Sequence, residues 1–138
     1  MTDKTQNGEL TPKAYNKLVK TAENLENRYG FTVYMIGKTG MRTGEIAHFH
    51  PEWFNAESNV INVPKSQDDW QPKTGKERMI SISSDTADTI DWYLNTLDDA
   101  YGCSEESIRS HVAVVSEKAG IDSVSPHQLR SAHCSESI

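Results

Sequence analysis

The sequence is poor in the features that mark secreted, membrane-spanning and metal-bound proteins. Its 138 residues include two cysteines, Cys103 and Cys134, too few for a disulfide framework and without the spacing of a zinc site. No apolar run approaches the roughly 20 residues that cross a bilayer. Residues 1–10 are polar and lack the apolar core of a signal peptide. These absences predict a soluble, intracellular chain with reduced thiols and no membrane partner.

Positive charge is also scarce. The formal net charge is −6, with 14 lysines and arginines against 20 aspartates and glutamates. Proteins that bind nucleic acid through charge alone normally have a basic balance, so this composition argues against a generic binder. The charges are unevenly distributed, because acidic residues crowd the segment 85–106 and basic residues crowd the segment 65–78. One acidic face and one basic loop can therefore coexist on the same domain.

Hydrophobic periodicity predicts a mainly helical domain with a small antiparallel β-sheet, an α+β fold. Residues 1–10 are expected to be a disordered leader, and residues 11–138 to form one domain. Thr11 and Pro12 start a first helix that Gly30 should end, and a fully buried helix should cover residues 31–38. Strands are expected at 51–54, 60–63 and 78–82, and later helices should begin near Ser84, Ser104 and Ser125.

Most tyrosines fall on the apolar stripes of these helices. The stripe positions are those of Tyr15, Tyr29, Tyr34 and Tyr93, while Tyr101 lies near a loop. On the helix after Ser104, the apolar residues recur at helical spacing, and Arg109 and His111 are expected on a solvated or boundary face.

The segment 39–45, Thr-Gly-Met-Arg-Thr-Gly-Glu, sets one arginine between two glycines. Glycine permits a tight corner between two buried helices, and an arginine held there presents a rigid fork of donors. That geometry suits an oxyanion such as a phosphate. Glu45 lies one helical turn beyond Arg42 and can brace its guanidinium. The alternative is that Arg42 merely caps a helix C-terminus, where cations are favoured.

Further cations follow in order along the chain. Lys73, Lys76 and Arg78 lie at the hairpin between the last two predicted strands, although long cations at hairpin tips also serve solubility. His127 and Arg130 lie three apart in the first turn of the last helix, hence on one face. The helix dipole disfavours cations at that end, and a bound anion would resolve the conflict. We therefore expect these cations to converge with Arg42 on one surface pocket.

These residues and spacings resemble the catalytic domain of tyrosine recombinases, the phage integrase family. The resemblance covers about residues 9–134. The first arginine box of the family is similar to residues 39–45, its hairpin lysine to Lys73, and its His-x-x-Arg box to residues 127–130. The resemblance implies a fold like that catalytic domain, with duplex DNA as the partner. It also implies transesterification at a scissile phosphate, with no metal or other cofactor.

The resemblance also assigns roles to individual residues. Two arginines, Arg42 and Arg130, would neutralise the charge that develops on the non-bridging phosphate oxygens. Lys73 would protonate the departing 5′ oxygen, and His127 would orient the phosphate or handle the proton of the nucleophile. Glu45 would support the site without touching the phosphate. The expected catalytic residues are thus Arg42, Lys73, His127 and Arg130, and the expected DNA-binding residues are Arg42, Lys73, Lys76, Arg78 and Arg130.

The sequence departs from the family where the nucleophile should be. In the family a His or Trp box and then the tyrosine follow the His-x-x-Arg box, and this sequence stops before both. We expect a site-specific recombinase domain, for DNA integration or recombination, that cannot cleave DNA alone and could receive the tyrosine from a recombinase partner chain. The alternatives are a non-catalytic DNA-binding or regulatory module derived from an integrase, and an acidic interaction protein that does not bind DNA.

Metal binding and location can also be judged from the sequence. A metal site at His127, His133 and Cys134 is disfavoured because it lacks a convincing fourth ligand. The expected location is the cytoplasm, either near the nucleoid or in a cell that carries the encoding virus or mobile element.

Overall fold

The computed structural model describes residues 5–6, 9–25, 27–66, 71, 75–96, 104–121 and 124–136. The elements in these ranges are β1 (Thr5–Gln6), β2 (Glu9–Leu10), α1 (Pro12–Glu23), α2 (Arg28–Thr39), α3 (Thr43–Ala47), a 3-10 helix (Pro51–Trp53), β3 (Phe54–Asn55), β4 (Val60–Val63), β5 (Arg78–Ser81), α4 (Ser84–Thr96), α5 (Glu105–Ala119) and α6 (Pro126–Glu136). Strands β3, β4 and β5 form one antiparallel sheet in that order. The predicted mainly helical fold with a small antiparallel sheet is confirmed.

Helix α2 lies at the centre of the domain. Every residue from 30 to 37 is buried, and α2 contacts α1, α3, α4, α5 and α6. The ring of Phe31 packs against Phe49 and Tyr93, with ring centroids 5.8 and 5.7 Å apart. The apolar run 31–38 therefore does form the buried helix that its composition predicts.

The boundary between α1 and α2 differs from the prediction. Helix α1 ends at Glu23, and the side chain of Asn27 caps α2 by accepting the N–H of Gly30 at 3.1 Å. Gly30 thus lies inside α2, and the prediction that it ends the first helix is wrong. Its lack of a side chain instead permits close packing, because an added Cβ would lie 2.5 Å from the carbonyl oxygen of Leu25 and 2.6 Å from that of Ala22.

The sheet also differs at its first strand. The predicted strand 51–54 is wrong over most of its length, because Pro51–Trp53 forms a 3-10 helix and β3 starts at Phe54. Proline has a fixed φ and no N–H, so it suits the first position of a helical turn. The predicted strands at 60–63 and 78–82 correspond to β4 and β5. Their register sets Val63 opposite Arg78, which places Arg78 at the loop end of this hairpin.

Two short strands lie in the described part of the segment for which a disordered leader is expected. Strands β1 and β2 pair antiparallel within this segment, Leu10 is buried, and β2 contacts α6. The apolar side chain of Leu10 gives this segment a core contact that its otherwise polar composition conceals.

Helix α5 follows the prediction except at one residue. Ser104 caps it by accepting the N–H of Ser107 at 3.1 Å, Gly120 ends it with a φ of 76°, and the predicted apolar stripe is buried. Arg109 is exposed as expected, but His111 is buried, which corrects its assignment to a solvated face. The imidazole Nδ1 lies 2.9 Å from the Thr32 hydroxyl on α2, and this hydrogen bond makes the burial tolerable.

No helix in the described ranges is long and apolar enough to cross a membrane.

Candidate functional site

The corner between α2 and α3 presents Arg42. Helix α2 ends at Gly40, which has a left-handed φ of 71° and donates its N–H to the Ile36 carbonyl at 3.0 Å. Arg42 follows in extended conformation as the N-cap of α3, and its backbone N–H donates to Glu45 Oε1 at 2.7 Å. The predicted tight corner is therefore present at Gly40, whereas Gly44 lies within α3. The Arg42 side chain is partly exposed beside this corner.

Glu45 is the buried anion behind the corner. Its side chain is 1% exposed and receives both Nε and Nη2 of Arg78, at 2.9 and 2.7 Å. Burial would raise the pKa of the carboxyl, but the Arg78 hydrogen bond, the Arg42 N–H and both positive charges hold that pKa below its ordinary value. Glu45 is thus ionised, and its hydrogen bonds engage the Arg42 backbone and the Arg78 side chain.

The second arginine arrives from α6. Ser125 and Gln128 form a capping box, in which Ser125 Oγ accepts the Gln128 N–H at 3.1 Å and Gln128 Oε1 accepts the Ser125 N–H at 3.0 Å. This cap fixes the first turn that carries His127 and Arg130. Arg130 Nε donates to the Gly40 carbonyl at 2.8 Å, so α6 is tied directly to the Arg42 corner.

A surface cavity of about 800 Å³ opens over this corner and the start of α6. It is lined by Met41, Arg42, Thr43, Gly44, Glu45, Gln71, Glu105, Pro126, His127 and Arg130. Three of the four predicted catalytic residues therefore share one cavity, although Arg42 and Arg130 come from distant parts of the sequence. Lys73 lies outside the described residues. Lys76 and Arg78 are described, and neither lines the cavity.

Two cavity residues were missed by sequence reasoning. Glu105 lies in the first turn of α5, where an acid is expected simply because it suits the helix dipole. It reaches the cavity because α5 packs against α3, a contact that no local pattern reveals. Gln71 lies in the polar loop between β4 and β5 and carries no motif signal.

The described tyrosines and metal-ligating residues provide no further reactive group in the cavity. Tyr15, Tyr34 and Tyr93 are buried in the core, and Tyr29 packs edge-on against His111, with ring centroids 4.9 Å apart. Tyr101 lies outside the described residues. Within the described ranges, no group of three or more His, Cys, Asp or Glu residues could hold a metal ion.

Two solved structures have a similar fold. A crystal structure of XerA recombinase matches with a TM-score of 0.75 and 19% identity, over 93% of this chain and 48% of that one. The Tn1549 transposon integrase, in complex with a circular intermediate DNA, matches with a TM-score of 0.67 and 15% identity, over 99% of this chain and 55% of that one. This chain thus spans about half the length of each.

Sequence comparison gives the family. No curated protein matches the chain directly. The sequence profile of the phage integrase family matches residues 9–137, almost the whole chain. The fold, the order of the boxes and this match agree, and the chain belongs to the phage integrase family.

Proposed function

We propose that this chain is a site-specific recombinase domain that binds the scissile phosphate of duplex DNA in the cavity between Arg42 and Arg130. The observation that carries the proposal is the meeting of these two arginines and His127 in one cavity. The two guanidinium groups repel each other in this cavity, and an anion bound between them would offset that repulsion. The integrase whose structure resembles this chain was solved with DNA.

Both arginines have donors to offer to a phosphate. Among the described residues, no hydrogen bond or ion pair engages the Arg42 guanidinium. The Arg130 guanidinium is oriented through Nε by the Gly40 carbonyl, and its terminal amino groups have no partner in the described part of the chain. Guanidinium donors that bind no protein group can bind the charge that develops on the phosphate oxygens in the transition state.

The remaining roles complete a transesterification. A tyrosine oxygen would bond to phosphorus, the bond from phosphorus to the 5′ oxygen would break, and Lys73 would protonate the departing oxygen. His127, exposed at the cavity, would orient the phosphate or accept the tyrosine proton. The product is a 3′-phosphotyrosine that conserves the bond energy for rejoining.

Among the tyrosines that the structure describes, none lines the cavity. The hydroxyl of Tyr15 donates to the Gly37 carbonyl and that of Tyr93 to the Ala22 carbonyl, both inside the core. Burial also raises the pKa of Tyr34 and of Tyr93, which keeps both hydroxyls protonated and makes the nucleophilic phenolate scarcer. We infer that the 138 residues alone do not cleave DNA and that a partner recombinase chain supplies the nucleophile. If no partner does so, the chain is a DNA-binding or regulatory module.

Phosphate binding can be tested with a fluorescein-labelled duplex of random sequence. We expect Arg42→Ala and Arg130→Ala each to weaken binding roughly tenfold or more, since each removes a charge-assisted contact. Each should also lower the dependence of log K on log salt by about one between roughly 50 and 200 mM salt.

The matched control is Lys118→Ala, which removes an exposed cation on α5, about 20 Å along the helix from Glu105. It should leave affinity nearly unchanged. Equal losses in all three variants would mean that the arginines act only through net charge, and the phosphate site would be abandoned.

Cleavage can be tested with a nicked duplex that traps the covalent intermediate, analysed on a denaturing gel. We expect no shifted band with this chain alone, because no described tyrosine reaches the cavity. A band that disappears in Tyr101→Phe would show that this chain carries its own nucleophile. A band that forms only when a recombinase partner is added, and that maps to the partner, would support supply of the tyrosine in trans.

A further inference from the structure

The Glu45–Arg78 ion pair lies at the edge of the cavity, with Glu45 in the lining and Arg78 outside it. Arg78 was expected to bind DNA, yet it does not line the cavity. Its guanidinium instead forms a salt bridge with Glu45, whose side chain is 1% exposed. We propose that Arg78 is a positioning residue, which holds Glu45 so that Glu45 fixes the Arg42 corner. The proposal rests on the proposed function only in taking Arg42 as the phosphate ligand.

The geometry of the pair leaves the carboxylate little freedom. Arg78 Nε binds Oε2 at 2.9 Å and Nη2 binds Oε1 at 2.7 Å, so both oxygens are held by one planar guanidinium. Two parallel bonds fix the plane of the carboxylate as well as its distance. A lysine could supply the charge but not this orientation.

The fixed carboxylate acts on Arg42 through the backbone. Oε1, which receives Arg78 Nη2, also accepts the Arg42 N–H at 2.7 Å. This bond closes the first turn of α3, a helix of five residues that cannot sustain its own structure through helix propensity. The direction in which Arg42 leaves the corner therefore depends on where Arg78 holds Glu45.

The corner is held from its other side as well. Arg130 Nε binds the Gly40 carbonyl at 2.8 Å, two residues before Arg42. Arg78 is the first residue of β5, and the sequence sets it five residues after Lys73. The ion pair thus joins the sheet hairpin to the Arg42 corner, so that the arginine and the hairpin are fixed to one another.

A positioning role for Arg78 and a direct contact of Arg78 with DNA predict different effects when Arg42 and Arg78 are substituted together. If Arg78 acts through Glu45 on Arg42, its removal matters only while Arg42 is present to be positioned. If Arg78 touches a phosphate itself, its loss adds to that of Arg42 as an independent contact.

The first experiment follows the Arg42 amide by ¹H–¹⁵N NMR as a function of pH. In the wild type this N–H is bonded to Glu45 and should titrate with that carboxylate. In Arg78→Gln we expect the amide resonance to move and its titration midpoint to shift to higher pH, because the buried carboxylate loses its main partner. Arg78→Lys should give an intermediate shift, since it restores charge but not the two parallel bonds.

The control variant is Lys65→Gln, an exposed cation just beyond β4 on the other arm of the same hairpin. It should leave the Arg42 amide unchanged. An Arg42 titration that is the same in Arg78→Gln and in the wild type would overturn the proposal. If Arg78→Gln fails to fold, as judged by circular dichroism, Arg78→Lys decides the question by the same measurement.

The second experiment is a double-variant comparison with the labelled duplex. We expect Arg78→Gln to weaken binding several-fold, and Arg42→Ala with Arg78→Gln to bind within about twofold of Arg42→Ala alone. Losses that multiply, with a further reduction of about one in the salt dependence, would show that Arg78 contacts DNA directly. If Arg42→Ala leaves DNA binding unchanged, the proposed function fails, and the amide titration still decides whether Arg78 positions the corner.

Discussion

His111 shows how a single buried residue makes the fold sensitive to pH. Its side chain joins α5 to α2 through Thr32 and packs against the ring of Tyr29. Desolvation, together with the positive charge of Arg28, lowers the pKa of this imidazole below its ordinary value near 6.5. The folded protein therefore prefers the neutral ring, whereas the unfolded chain binds a proton more readily.

This difference predicts a loss of stability on mild acidification. Because the unfolded state binds more protons, the free energy of unfolding should be highest above about pH 6.5. It should then fall as the pH drops from there through the lower pKa of the folded state. Urea denaturation at pH 7.5 and 5.5, a window above the titration of ordinary carboxyl groups, measures the effect.

Two variants separate His111 from the other histidines. His111→Gln loses the contacts of the imidazole with Thr32 and Tyr29, so it should be less stable than the wild type at high pH. Because glutamine cannot titrate, the variant should lose less stability between the two pH values. His127→Gln, which removes an exposed histidine, should retain the full loss. The same loss in His111→Gln as in the wild type would show that another group is responsible.

At the scale of residues, short local patterns predicted a site, and the structure brings Arg42, His127 and Arg130 to one cavity. Two short patterns pointed to an anion: Arg42 between two glycines, and His127 three residues before Arg130. The partner of Glu45 could not be predicted, because Arg78 lies 33 residues away and reaches it through the register of the sheet. Glu105 was missed for the same reason, since only the packing of helices brings it to the cavity.

At the scale of elements, helix α2 contains two glycines with different surroundings. A Cβ at Gly30 would meet two backbone oxygens of the segment 22–25 at 2.6 Å or less, and these cannot turn aside. A Cβ at Gly37 would lie 2.8 Å from the Cγ2 of Val19, a side-chain atom on α1 that can move more easily than a backbone oxygen. The two glycines of α2 therefore differ in the neighbour that an added Cβ would meet, which is backbone at Gly30 and a side chain at Gly37.

Alanine substitution should separate the two cases. We expect Gly30→Ala to lower the free energy of unfolding by about 1–3 kcal/mol, since the clash outweighs any gain in helix propensity. Gly37→Ala should cost less than Gly30→Ala, by about 1 kcal/mol, because the gain in helix propensity offsets part of a clash that a small shift of Val19 relieves. Urea denaturation of both variants gives the comparison, and a larger loss in Gly37→Ala would contradict it.

Sequence predicted best the helices that combine an apolar stripe, an N-cap residue and a terminating glycine. Helix α5 has all three signals, in its apolar residues, Ser104 and Gly120, and was placed correctly. The break between α1 and α2 was missed because Gly30 was interpreted as a stop, although Asn27 is the residue that begins α2. The aromatic pair at 53–54 suggested a strand, but Pro51 and tertiary packing of Trp53 favoured a 3-10 turn.

At the scale of the whole molecule, the net charge of −6 opposes the proposed binding of an anion. Glu105 brings this conflict into the cavity itself, because this exposed residue lines the same cavity as Arg42 and Arg130. We predict that Glu105→Gln tightens binding of the labelled duplex about two- to fivefold at low salt, with a smaller gain as salt screens the charge.

The control is Glu117→Gln, which removes an exposed carboxylate from α5 about 18 Å farther along the helix. Anisotropy titrations at two salt concentrations should show a gain for Glu105→Gln and almost none for Glu117→Gln. Equal gains would mean that DNA responds to the overall charge and not to the carboxylate in the cavity.

The hydrogen bond between Arg130 and Gly40 can form only late in synthesis of the chain. The two residues are 90 positions apart, so at about 5–20 residues per second they leave the ribosome on the order of 5–20 s apart. Throughout that interval the nascent chain carries Arg42 without its second arginine. On the proposed function, both arginines can bind a phosphate only after α6 has emerged and docked. Until then, the emerged part of the nascent chain carries an incomplete site among the polyanions that surround the ribosome.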